Sequence, residues 1–73
     1  MSMNIQSYAV ELYNTDRCRV AEYSYPDLNE SLRAAEERCR GGEDGCDVIV
    51  GNQYGVRVLW LRQDGGQVIR LGE

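Results

Sequence analysis

Histidine and lysine are both absent from this chain of 73 residues, and each absence removes a class of function. Histidine is the commonest general base and the side chain that titrates near neutral pH, so serine and cysteine hydrolases of the usual triad kind are excluded. Without lysine, all eight basic residues are arginine, and the formal net charge is -4. A chain of that sign repels phosphate, so direct nucleic-acid binding is not expected. No apolar run approaches the length needed to cross a bilayer, and MSMNIQS at the start lacks a basic region followed by an apolar one. A cytoplasmic protein is the expectation, with no membrane contact.

Other absences concern cofactors and metals. The three cysteines, Cys18, Cys39 and Cys46, include no C-x-x-C pair, which leaves a zinc site short of ligands and favours reduced, buried thiols over a disulfide framework. Cys39 and Cys46 could meet across the loop between them, but nothing in the sequence requires a bridge. Gly41-Gly42 closes a helix and does not open one, so neither a P-loop nor a dinucleotide fingerprint is present. Glu43, Asp44 and Asp47 around Gly45 lack the alternating oxygen ligands of a calcium loop. Glu36 and Glu37 are adjacent and point about 100° apart on a helix, so they do not converge for acid–base work. No cofactor, no metal and no enzymatic activity are expected.

What is present begins with PDLNESLRAAEERCRGG, from Pro26 to Gly42. Asp27 is placed as an N-cap and Glu30, three residues on, completes a capping-box pattern. At 100° per residue Leu28, Leu32, Ala35 and Cys39 form one stripe, with Glu30, Arg33, Glu37 and Arg40 opposite. Pairs four apart, Arg33 with Glu37 and Glu36 with Arg40, suit ion pairing on the outer face. Gly41 is placed to end the helix in the left-handed conformation.

The rest reads as strand. Tyr8 to Tyr13 alternates, Asn14-Thr15-Asp16 is a polar turn, and Arg17 to Tyr25 returns from it with Cys18 and Val20 on one side and Arg19, Ala21, Tyr23 and Tyr25 on the other. Cys46 to Val50 suits an interior strand. After a turn over Asn52-Gln53-Tyr54-Gly55, Val56 to Arg62 is the strongest strand, and the Asp-Gly signal within residues 63–67 turns it into Val68 to Leu71. The order ββαβββ predicts a single small α+β domain over residues 1–73, with 1–6 flexible: an antiparallel five-stranded sheet and one amphipathic helix packed on one face.

Both faces of that sheet read as apolar. Val56, Val58 and Trp60 oppose Leu59 and Leu61, and Ile69 and Leu71 oppose Val68. One helix cannot cover both, so Leu59, Leu61, Ile69 and Leu71 are candidates for a sheet interface, in a homodimer or with another protein. The six aromatics, Tyr8, Tyr13, Tyr23, Tyr25, Tyr54 and Trp60, with Arg19, Arg57, Arg62 and Arg70, offer the alternative of a nucleic-acid-binding sheet.

Charge is uneven along the chain. Residues 27–47 hold Asp27, Glu30, Glu36, Glu37, Glu43, Asp44 and Asp47 against Arg33, Arg38 and Arg40, while the segments on either side are nearly balanced. Glu30, Glu36, Glu37, Glu43, Asp44 and Asp47 are therefore the candidate partner-binding residues, and a basic protein surface is the partner they select. In size and charge the chain is similar to small phage inhibitors such as anti-CRISPR proteins. That resemblance implies a non-enzymatic inhibitor, a DNA mimic blocking a nucleic-acid-binding protein. The strand hairpin leading through Tyr25-Pro26-Asp27-Leu28 into the helix also resembles HicB-type antitoxins over about half the chain, without the glycine-containing stretch that usually precedes their helix. This second resemblance implies an antitoxin-like or dimeric interaction subunit.

Overall fold

The computed structural model describes residues 7–72, so the expectation of flexibility over residues 1–6 falls outside the described part of the chain. Six elements follow one another: β1 (Tyr8–Tyr13), β2 (Arg19–Tyr25), α1 (Leu28–Arg40), β3 (Asp47–Asn52), β4 (Arg57–Asp64) and β5 (Gln67–Gly72). The strands form one antiparallel sheet in the order β2-β1-β3-β4-β5, and the helix packs on one face. The expected α+β architecture is therefore what the chain adopts. The topology also explains the helix's position. Because β2 ends on the outer edge and β3 must pair with β1, the chain has to cross back over β1, and α1 is that crossing.

Two hairpin turns are built by the same asparagine device. Asn14 Oδ1 accepts from the N–H groups of Asp16 (2.9 Å) and Cys18 (3.0 Å), and Asn52 Oδ1 accepts from those of Tyr54 (2.9 Å) and Val56 (3.1 Å). Three residues after each asparagine the chain needs a positive φ. Gly55 supplies it at 79°, whereas in the first turn Arg17 is forced to 66°, a conformation that costs a non-glycine residue about 1–2 kcal/mol. That is why β2 begins at Arg19 and not at Arg17: residues 17 and 18 complete the turn. A bulge opposite Leu12–Tyr13 then places Val20 as the extra residue, so Arg19 falls on the opposite face from Ala21, Tyr23 and Tyr25. The last hairpin is tighter than the sequence suggested. Gly65 and Gly66, at φ 58° and 92°, make a two-residue turn, and Gln63 and Asp64 belong to β4.

The core lies between helix and sheet and consists of Val10, Ala35, Cys39, Val48, Val50 and Leu61, none more than 6% exposed. Asp27 caps the helix as expected, accepting from the Glu30 N–H at 3.0 Å. Its buried stripe is rotated from the predicted one. Leu28 is 38% exposed, while Ser31 is fully buried, with its hydroxyl donating to the Leu28 carbonyl at 2.7 Å. A small side chain whose one donor is satisfied locally lets the backbones approach closely, which a leucine there would prevent. On the outer face Glu36 pairs with Arg40 at 2.6 Å. Gly41 departs from the expected left-handed conformation, with φ at -84°, and its N–H donates to the Glu37 carbonyl. Space is tight at Gly42, where a Cβ would stand 2.5 Å from Cys46 Sγ and that thiol would have to turn away.

Candidate functional site

Of the six acidic residues singled out in the sequence, Glu30, Glu36, Glu37 and Glu43 are exposed along the outer side of α1 and its exit loop. Asp44 is exposed but structural, with its Oδ1 accepting from the Gly65 N–H at 2.6 Å and so tying the exit loop to the β4–β5 turn. The same loop is pinned twice more, by Gly45 N–H donating to the Gln63 carbonyl (2.8 Å) and Gln63 N–H donating to the Cys46 carbonyl (2.9 Å). The acidic segment is thus held to the sheet by three hydrogen bonds and does not hang free.

Asp47 must be removed from that set. It begins β3, is 4% exposed, and points to the sheet face away from the helix. Its Oδ1 accepts from Arg62 Nε at 2.6 Å, and its Oδ2 accepts from Arg62 Nη2 and from the Trp60 indole N–H, each at 2.9 Å; Arg17 Nη1 stands 3.6 Å away. Hydrogen bonding by Arg62, more than any other contact, holds the Asp47 carboxyl below the usual carboxylate range, and the same bond raises the Arg62 guanidinium. A carboxylate with both oxygens committed to this chain's own donors has little left to offer a partner.

The four candidate sheet-interface residues are also divided. Leu59 and Leu61 face the helix, Leu61 being a core residue, because β4 residues 59 and 61 pair with Val50 and Val48 on that side. Ile69 pairs with Arg62 and lies on the open face. Leu71 falls at the register shift in β5, on the exposed edge. Strict alternation fails at the start of β4: a bulge at Val58 turns that residue toward the core beside Leu59 and brings Arg57, not Val58, onto the face of Trp60.

The open face has its own organisation. Ile49 and Trp60 are paired neighbours at its centre. The guanidiniums of Arg57 and Arg62 lie over the Trp60 ring at 4.9 and 5.8 Å. On the β1–β2 side Arg19 bridges Glu11 at 2.6 Å and Glu22 at 3.3 Å, while the Tyr13 hydroxyl donates to Glu11 at 3.3 Å. Burial first, and then the Glu11 charge, raise the Tyr13 pKa. A shallow concavity of about 430 Å³ opens on this face, with Glu11 and Glu22 on one wall and Arg57 on the other.

The three cysteines, expected to be buried, divide: Cys18 is exposed in the first turn, Cys46 is half-buried and Cys39 is buried. Burial, with Cys46 and Asp47 adding to it, pushes the Cys39 thiol up to about 11, and burial also raises Cys46, so both stay protonated near neutral pH. Among the described residues no three cysteine, aspartate or glutamate side chains converge as metal ligands, and no helix is long and apolar enough to cross a membrane. The aromatics do not form one platform. Tyr23 stacks under Arg38 at 3.7 Å on the helix side, Tyr8 and Tyr25 pack against the core, Tyr54 sits in a turn, and Trp60 is on the open face. What sequence reasoning missed was the Asp47–Arg62–Trp60 group. Its one sequence signal, Trp60 and Arg62 two apart on a strand, names a shared face but not the carboxylate opposite. The chain matches no family model, no curated protein and no solved structure.

Proposed function

We propose that this protein is a small non-enzymatic binding module that presents an acidic surface to a basic surface on another protein, of the kind that contacts nucleic acid, and blocks it as a DNA mimic. The observation that carries the reading is the exposure of Glu30, Glu36, Glu37 and Glu43 along one capped helix and an exit loop pinned by Asp44 and Gly45. Arg33 and Arg40 share the outer face, Arg40 paired with Glu36 at 2.6 Å, so the acidic excess that would steer a basic partner comes from the helix start and the exit loop, at Asp27, Glu30 and Glu43. The alternative of a nucleic-acid-binding sheet draws less support, since the Arg57 guanidinium already covers the Trp60 ring where a base would stack.

The test is affinity capture from host extract, followed by repetition with the triple variant Glu30→Lys, Glu37→Lys, Glu43→Lys. The wild-type complex should weaken steeply with added salt, and the partner within it should fail to bind its nucleic acid. The variant should capture at least about tenfold less partner, because each reversal turns an attraction into a repulsion. Equal capture by the folded variant would refute the acidic-surface mechanism.

A further inference from the structure

We infer that Cys39 and Cys46 form a redox-active pair, closed to a disulfide by exchange with a small thiol disulfide such as that of glutathione. The pair lies between helix and sheet and is independent of the acidic surface proposed above.

The backbone brings the two residues together. Gln63 holds both, donating from its Nε2 to the Cys39 carbonyl at 3.1 Å and from its backbone N–H to the Cys46 carbonyl at 2.9 Å. The chain between them is folded by two short turns, in which Gly42 N–H donates to the Cys39 carbonyl (3.2 Å) and Cys46 N–H to the Glu43 carbonyl (3.1 Å). The first of these bonds is of the 3₁₀ kind, where residues three apart eclipse, so the side-chain position of Gly42 lies over that of Cys39. Glycine leaves that position empty, and the Cys46 sulfur occupies it, 2.5 Å from where a Cβ would stand.

The Cys46 sulfur is thus one 3₁₀ turn, about 6 Å, from the Cβ of Cys39. Rotation between staggered positions moves a cysteine sulfur by about 3 Å, which closes a gap of that size when both side chains turn. After burial, Cys46 is the next cause of the raised Cys39 pKa, as expected of thiols that are neighbours.

The two thiols differ in access, and that fixes their roles. Cys39 is fully buried, whereas Cys46 is half-buried in the wall of a cavity of about 270 Å³ shared with Leu12, Val20, Arg38, Gly42 and Glu43. Cys46 therefore reacts first. Its thiolate attacks one sulfur of the incoming disulfide, forming a mixed disulfide and releasing a thiolate that is protonated in solution. Cys39, deprotonated in turn, attacks Cys46 Sγ and displaces the second small thiol. The protein thiols lose two electrons and two protons, and the small disulfide gains them as two thiols. Burial raises both cysteines, so exchange is slow near neutral pH. The finished bridge joins the end of α1 to the start of β3 across the exit loop.

The experiment is incubation of the reduced full chain with glutathione disulfide at mildly alkaline pH without air, read by intact mass and peptide mapping. Cleavage after Arg40 falls between the two cysteines, so a bridge appears as residues 39–40 joined to the peptide that begins at Gly41. Cys18→Ser, which removes the exposed thiol of the first turn, should still bridge and lose about 2 Da as two hydrogens leave. Cys39→Ala, checked for native circular dichroism, should stop at a glutathione adduct on Cys46. Cys46→Ser should form no bridge and leave Cys39 unmodified. A Cys18→Ser chain that stays reduced, or that carries glutathione on Cys46 without going on to the bridge, would overturn the inference, as would modification of Cys39 in folded Cys46→Ser.

Discussion

At the scale of single residues, Asp47 is the one buried carboxylate among the described residues. Its carboxylate accepts three hydrogen bonds, two of them from Arg62, whose side chain is still 26% exposed. Deep burial of both partners would make the loss of one charge cost about 3–5 kcal/mol; with Arg62 partly solvated, Asp47→Asn should cost about 2 kcal/mol, read as a lower denaturant midpoint. The pH dependence has a definite sign. The folded carboxyl is held below its unfolded value of about 3.9, so its contribution is complete at neutral pH and is lost as pH falls past that unfolded value and through the depressed folded one. The stability gap between wild type and Asp47→Asn should therefore be constant above about pH 5 and close below about pH 4. A gap independent of pH would show that geometry, not charge, is what Asp47 supplies.

At the scale of elements, the helix and the last hairpin are joined by one side chain that reads in the sequence as part of a turn. Gln63 is 3% exposed, and its Nε2 donates to the carbonyls of Cys39 (3.1 Å) and Arg40 (3.0 Å) at the open end of α1. Its Oε1 accepts from the Gly66 N–H at 2.7 Å, so the same amide closes the tight turn. Carbonyls at a helix C-terminus lack partners within the helix; that of Cys39 also accepts from the Gly42 N–H at 3.2 Å, so it is the Arg40 carbonyl that depends on Gln63. Gln63→Ala should destabilise by about 1–2 kcal/mol, with faster hydrogen exchange at Gly66, whose N–H loses its acceptor, before the sheet opens. Gln63→Glu, which keeps the size and loses the donors, should be at least as harmful. The helix itself was legible: capping residue, length and amphipathic pattern all agree with the observed element. Its exact orientation was not. Whether Ser31 or Leu28 turns inward depends on how close the sheet comes, and the periodicity of one segment carries no information on its neighbour's distance.

At the scale of the whole molecule, the sheet carries a different chemistry on each side. Aliphatic residues and α1 build one, and an arginine–tryptophan–carboxylate network orders the other. Residues 48, 49 and 50 alternate between the two sides, so neither can be lost without disturbing the strand that serves both. Unfolding by denaturant should accordingly give one transition, with helix circular dichroism and Trp60 fluorescence coincident; a fluorescence change at lower denaturant would mean that the open face loosens first. The sequence alone determined the element order, the α+β class, the helix N-cap at Asp27 and the places of the turns, because these follow from local conformation and residue chemistry. Only the tertiary structure decided that Asp47 belongs beneath Arg62 and Trp60 while Glu43 stays in solvent, and that Leu59 and Leu61 go under the helix while Ile69 faces away. Strand pairing and register made those choices. They are set by contacts between residues far apart in the chain, and a one-residue change of register would exchange every assignment.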